Sequence, residues 1–298
     1  MTEYALFLGC MIPLRLPNLE AAARRVLEAL DVKLIDMKEA SCCPDPEAIQ
    51  SLDYATWLSL AARNLSIAED MGRNILTLCN GCFETLKTAN ETLKNNGKLK
   101  ERVNAVLGKI GRSFKGSIDV KHLIEVLYKE VGVRKIRENV VTSLTGINVA
   151  THYGCHVLRP SSILKVDDPE EPHILDDLVE ATGARSIPYM RKMLCCGAAV
   201  RSMNKDESLD LTYEKIEKAK RSGADCLLTI CPTCFLQYDT GQIELRGSKK
   251  VDSNLPVVYL PELLGIAFGM NSDELGLGTH KVKTKNLIDK MFLLLPNE

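Results

Sequence analysis

The chain has 298 residues, 45% hydrophobic and 26% charged, which is enough apolar material for one large or two ordinary folded domains and argues against disorder. Its 38 basic and 39 acidic side chains leave a formal net charge of -1, so nothing predicts a global attraction to nucleic acid or to an anionic bilayer. No run reaches the roughly 20 apolar residues of a spanning helix, and the start MTEYALFLGC lacks the basic flank of a signal peptide. The expectation is a cytoplasmic protein with no nucleic acid partner and no direct membrane insertion.

In chain order, YALFLG predicts a short strand leading to Cys10, and a helix connects it to a second apolar run, VKLIDM. Cys42 and Cys43 follow. A long helix is predicted over 47–71 from the spaced apolar residues and closing glycine of DYATWLSLAARNLSIAEDMG. The strand NILTL then delivers Cys79 and Cys82 to the start of another helix. Residues 97–116 read as a solvated basic helix and linker, and IDVKHLIEVLYKEVG ends this half. The same order returns as INVATHYG before Cys155, ARSIP, the pair Cys195 and Cys196, a helix over 202–222, CLLTI before Cys231 and Cys234, and LPVVYLPELLGIAFG.

Written as spacings, the cysteines read C-x31-CC-x35-CxxC and then C-x39-CC-x34-CxxC. A lone CxxC is weak, but one order of five cysteines repeated with its flanking scaffold indicates an internal duplication. The expected units are 1–146 and 147–298. Alternating strands and helices predict an α/β fold of two similar cysteine-rich domains, each a short, mostly parallel sheet flanked by helices. Ligand sites in such sheets gather beyond the carboxyl ends of strands, where every repeated cysteine falls.

A thioredoxin-like dithiol needs two cysteines and has no use for a remote one plus an adjacent pair. Structural zinc wants four ligands, and His152 and His156 beside Cys155 keep a mixed site possible. Phe7 and Met11 take those places in the first copy, however, so the histidines do not define a shared metal site. Soft thiolates select iron-sulfur centres, and this chemistry suits the pattern best. Five thiolates per copy exceed the four of a cubane, so either one is a spare or the cluster is not a plain cube. Cys226, outside both sets, reads as a buried apolar cysteine, while Gly9, Gly154 and Gly197 are expected to let backbone approach sulfur closely. No Gly-rich dinucleotide fingerprint is present, so neither flavin nor nicotinamide is expected on this chain.

The doubled motif resembles the cysteine-rich CCG-domain family, which includes heterodisulfide reductase B subunits. Cys195-Cys196-Gly197 matches the family signature, and Cys42-Cys43-Pro44 departs from it after the ligands. The resemblance spans nearly the whole chain. It implies two non-cubane [4Fe-4S] clusters, one on Cys10, Cys42, Cys43, Cys79 and Cys82 and the other on Cys155, Cys195, Cys196, Cys231 and Cys234. It further implies reduction of the coenzyme M/coenzyme B heterodisulfide, a small anionic disulfide, to two thiols. The expected partners are a ferredoxin-like iron-sulfur subunit that delivers electrons and a flavin-containing subunit, with a hydrogenase or formate dehydrogenase module beyond. For the anionic substrate, Arg15, Arg159, Arg191, Lys192 and Arg201 are the candidate contacts, and His156 is the candidate proton donor. The alternatives are a non-catalytic electron-transfer subunit, or a related CCG-domain oxidoreductase acting on another substrate.

Overall fold

The computed structural model describes residues 2–249 and 254–293. Strands β1 (Thr2–Phe7), β2 (Val32–Asp36), β3 (Ile75–Thr77) and β4 (Val120–His122) form one sheet in the order β2-β1-β3-β4. Strands β5 (Asn148–His152), β6 (Arg185–Ser186), β7 (Cys226–Thr229) and β8 (Val257–Tyr259) form another in the order β6-β5-β7-β8. All pairings are parallel, and the two orders correspond copy for copy. The inner strands are buried on both faces, which is why ILT and CLLT read as unbroken apolar runs without alternation.

Helix α1 (Met11–Arg15) follows β1, and α2 (Pro17–Ala29) covers the sheet by burying Leu19, Ala22, Ala23, Val26 and Leu27, one face at helical spacing. The single helix expected over 47–71 is divided. A short turn, Ile49–Leu52, stops at Asp53, whose extended backbone lets its carboxylate accept from Ala55 N at 3.0 Å and Thr56 N at 3.1 Å. That cap starts α3 (Tyr54–Asp70) afresh. Helix α4 (Asn80–Asn95) begins immediately after Cys79. In the second copy come α5 (Ile174–Glu180), then α6 (Lys205–Arg221), capped by Asn204, and α7 (Pro232–Lys249), which starts after Cys231 with Pro232 in its first turn. No helix among the described residues is long and apolar enough to cross a membrane.

The copies interlock through their last strands. Helix α8 (Leu260–Ala267), which follows β8, packs on α2 of the first copy, and the π-helical turn Val126–Val131 after β4 packs on α5 of the second. Both strand ends are capped alike: Glu125 accepts from His122 N at 3.2 Å, and Glu262 accepts from Tyr259 N at 2.8 Å. Fully buried Glu262 also accepts from Asn18 Nδ2 at 3.1 Å, across the interface, and meets His280 Nε2 at 2.9 Å.

Burial pulls the His280 pKa down, and the charge and hydrogen bond of Glu262 outweigh it, so the net shift is upward. A raised folded-state pKa gives stability that is fully present below the ordinary histidine value of about 6.5 and is lost as pH rises through the folded value. Urea unfolding of Glu262→Gln should therefore show a loss of about 3 kcal/mol or more at pH 6 and a flatter fall of stability between pH 6 and 9 than the parent protein.

Candidate functional site

Each repeated cysteine lies beyond the carboxyl end of a strand: Cys10 after β1, Cys42 and Cys43 after β2, and Cys79 and Cys82 after β3, with the second set following β5, β6 and β7. Strand order reverses between β1 and β3, and between β5 and β7, so Cys10 and the first CxxC straddle one switch point, and Cys155 and the second CxxC the other. The ten cysteines all line one cavity of about 320 Å³. None is in a disulfide.

Their sulfurs form a continuous series of hydrogen-bonding neighbours. It runs Cys10, Cys42, Cys43, Cys82, Cys79 in one copy and Cys155, Cys195, Cys196, Cys234, Cys231 in the other, and Cys79 and Cys231 join the two. Crowding splits the thiols into proton donors and acceptors. Hydrogen bonds from Cys42 and Cys82 lower Cys43 to about 4, those from Cys155 and Cys196 lower Cys195 to about 2, and their donors Cys42 and Cys155 are pushed up. Among the described residues no group of three or more His, Cys, Asp or Glu side chains meets the geometry of a single-ion site. The thiols are spread around a wall instead of gathered on a point.

The copies meet directly at this site. Asn80 donates from Nδ2 to the Tyr153 carbonyl at 2.6 Å, and its amide donates to Cys231. Tyr259, at the end of β8, donates its hydroxyl to the Leu78 carbonyl, beside Cys79. His122, at the end of β4, accepts from Ile124 N on Nδ1 at 3.3 Å and turns Nε2 toward the Ile230 carbonyl, beside Cys231, without closing a hydrogen bond of good geometry. Burial lowers the His122 pKa to about 4 and keeps its ring neutral.

Among the other residues singled out in the sequence, His156 lines the cavity, its Nε2 2.9 Å from Oε1 of Glu47 in the opposite copy. That pairing raises its pKa against the effect of burial. Glu47, a loop residue with no pattern to mark it, is a site residue that sequence reasoning missed. The five basic candidates do not line the cavity. Arg159 binds Glu170 at 2.9 Å and Arg191 binds Glu214 at 3.1 Å. Lys192 binds Asp176 at 2.6 Å, and Arg201 pairs with Glu244. Arg15 is exposed, one turn beyond cavity-lining Met11. Cys226 is wholly buried at the start of β7, and burial lifts its thiol to about 12.

The glycines divide. A Cβ on Gly9 would stand 2.6 Å from Cys82 Sγ, and one on Gly154 would stand 2.6 Å from Asn80 Nδ2 and 3.5 Å from Cys234 Sγ. At Gly197 the backbone amide approaches Cys195 Sγ at 3.4 Å, while an added Cβ would meet the Ser208 carbonyl of α6 at 2.6 Å and no sulfur. Gly9 and Gly72 both have left-handed backbone, with φ of 68° and 62°, but Gly72 faces open space. Replacing Gly72 by alanine should cost about 1–2 kcal/mol for the backbone alone. Gly9→Ala should cost measurably more in chemical denaturation, because Cys82 must also move.

A family model described as a cysteine-rich domain, CCG, matches the chain twice, over residues 4–87 and 149–239. The chain is similar to the B subunit of the ferredoxin/F(420)H(2)-dependent CoB-CoM heterodisulfide reductase of Methanosarcina acetivorans, 42% identical over 294 residues that make up 98% of each chain. The B subunit of the ferredoxin:CoB-CoM heterodisulfide reductase of Methanosarcina mazei matches with the same identity and coverage. A crystal structure of a hypothetical protein from Helicobacter pylori superposes with a TM-score of 0.75 over 95% of this chain and 52% of that one, at 18% identity, a likeness of fold alone. Two copies of the family domain, each carrying its five thiols to a shared cavity, together with this identity over nearly the whole length, show that the chain belongs to the cysteine-rich CCG-domain family of heterodisulfide reductase B subunits.

Proposed function

We propose that this chain is the subunit of a heterodisulfide reductase that binds the coenzyme M/coenzyme B heterodisulfide and reduces it to two thiols. The observation that carries this reading is the gathering of ten unpaired thiols, five from each of the two matched domains, around one cavity. The donor set fits two iron-sulfur clusters of the non-cubane [4Fe-4S] kind. It is all soft sulfur, spread along a wall and not converging on one ion. Cys10, Cys42, Cys43, Cys79 and Cys82 would hold one, and Cys155, Cys195, Cys196, Cys231 and Cys234 the other. When bound, such clusters supply one-electron transfer beside the substrate.

The reaction RS–SR′ + 2e⁻ + 2H⁺ → RSH + R′SH needs two electrons and two protons, and two one-electron centres match the first requirement. The chain's own side chains serve the rest. Leu8, Met11, Pro46, Ala198 and Pro232 give the cavity apolar surface against which the substrate's hydrocarbon can pack. His156, held at Nε2 by Glu47, keeps a proton within the cavity for a departing thiolate. Arg15 has no hydrogen bond or ion pair among the described residues and stands ready for one anionic end of the substrate. A ferredoxin-like subunit would hand in electrons on the side of exposed Cys10 and Cys42. A flavin subunit and a hydrogenase or formate dehydrogenase module would lie farther along that route.

Anaerobic purification followed by iron, sulfide and zinc analysis, and an assay of heterodisulfide reduction with an artificial donor, tests the reading. Iron and sulfide for two clusters, with turnover, is the expected result. Full iron content without turnover in the assembled complex favours an electron-transfer role, and zinc without sulfide sinks the proposal. Cys43→Ala or Cys196→Ala should lose the iron of one set, whereas Cys226→Ala should retain both. His156→Gln should keep its iron and lose about 10²–10⁴-fold in turnover, the range for a removed proton donor.

A further inference from the structure

The two thiol sets are alike in ligand type and unlike in what stands behind them. Three residues before Cys10 lies Phe7, and four after Cys82 lies Leu86, both fully buried hydrocarbon. The same offsets in the second copy give His152 and Tyr238, equally buried and set edge to face with ring centroids 5.0 Å apart. Both ring nitrogens of His152 and the hydroxyl of Tyr238 have no hydrogen-bond partner, a rare condition for buried polar atoms. His152 lies in the field of Cys195 and Cys231, and Tyr238 in that of Cys195, Cys196 and Cys234.

Lys215 adds a buried amine, a cation when protonated, to the same side. It occupies the buried stripe of α6 with Ser208, Thr212 and Ala219 and is 0% exposed. Its Nζ donates to the carbonyls of Arg191 and Lys192 at 2.6 Å each and sits 5.5 Å from the Tyr189 ring centroid, and it forms no ion pair among the described residues. Burial draws its pKa down to about 7, and Cys234, Cys196, Cys155 and Cys195 oppose that fall. In the first copy the buried place of Lys215 is taken by a neutral group: Asn64 accepts from Ser41 N and donates to the Cys42 carbonyl, both at 3.0 Å, while the cation on this loop, Arg63, reaches the Glu39 carbonyl at 3.1 Å and Ser41 Oγ at 3.3 Å on the solvent side. Backbone donors differ as well. The Gly197 amide donates to Cys195 Sγ at 3.4 Å and the Ala198 amide to Cys196 Sγ at 3.5 Å, whereas Pro44, in the place of Gly197, has no N–H to offer.

We propose that His152, Lys215 and Tyr238 form a one-sided polar shell that stabilises added negative charge on the second centre alone, so that the two centres accept electrons at different potentials. The inference rests on the iron-sulfur reading above. Hydrogen-bond donors and a cation near thiolate sulfur favour the more negative, reduced form and so raise the reduction potential. Electrons supplied singly by an iron-sulfur partner then enter unequal centres in a fixed order, although the disulfide consumes them as a pair.

The test is an anaerobic reductive titration of the assembled complex, followed by electron paramagnetic resonance, for the parent and for Lys215→Met, His152→Phe and Tyr238→Phe, with iron and sulfide measured in each. The parent should show two separate one-electron waves. Each variant with full iron content should shift one wave, the same in all three, to more negative potential and leave the other in place. Centres that titrate together in the parent, or variants that show no shift, a positive shift or an equal shift of both waves, overturn the proposal. If Lys215→Met or His152→Phe loses iron, Tyr238→Phe, which removes one unpartnered hydroxyl, decides the matter alone. A parent without iron and sulfide would instead overturn the underlying functional reading.

Discussion

Sulfur ligands separated by more than thirty residues can share a site only if the chain returns again and again to one edge of the fold. A parallel sheet with helical crossovers enforces that return, since every strand ends on the same side. Cys10 and Cys79 come together because β1 and β3 are neighbours, and Cys42 and Cys43 because β2 lies on the other flank of β1. The second copy repeats each step. The remainder of the molecule can be understood as what is needed to hold two such edges face to face. Within that arrangement the thiols are packed closely enough to compete for protons, a condition that metal binding relieves by removing the protons altogether.

The joint between the copies is part of the site. Asn80 reaches the Tyr153 carbonyl and Cys231, while Tyr259 reaches the carbonyl just before Cys79. Each CxxC is therefore positioned from behind by a residue of the opposite half. Glu262, with Asn18 on one side and His280 on the other, fixes α8 against α2 and so locks the strand end that carries Tyr259. Movement between the halves would alter both sulfur sets at once. A cavity walled by thiols from both halves keeps its shape only if the halves are held rigidly together.

Much of this was legible in the sequence because it rests on local signals. The strands before Cys10, Cys79, Cys155 and Cys231 announce themselves as apolar runs, and the doubled cysteine order gives the duplication and the ten cysteines that line one cavity. The break at Asp53 was missed because the apolar spacing continues across it, and only the capping carboxylate stops the helix. The partners of Arg159, Arg191, Lys192 and Arg201 are carboxylates 11 to 43 positions away, which spacing cannot select. Glu47 carried no signal at all. Lys215 is hidden for another reason: its buried face of α6 also carries Ser208 and Thr212, so the spacing does not show that this face points inward.

Had the two halves been separate identical chains, twofold symmetry would oblige their sites to carry the same residues. Joined in one polypeptide, they escape that obligation: a change at Phe7 has no counterpart forced on His152, and Pro44 can stand opposite Gly197. Covalent fusion thus preserves the geometry of a symmetric pair while allowing its members to specialise.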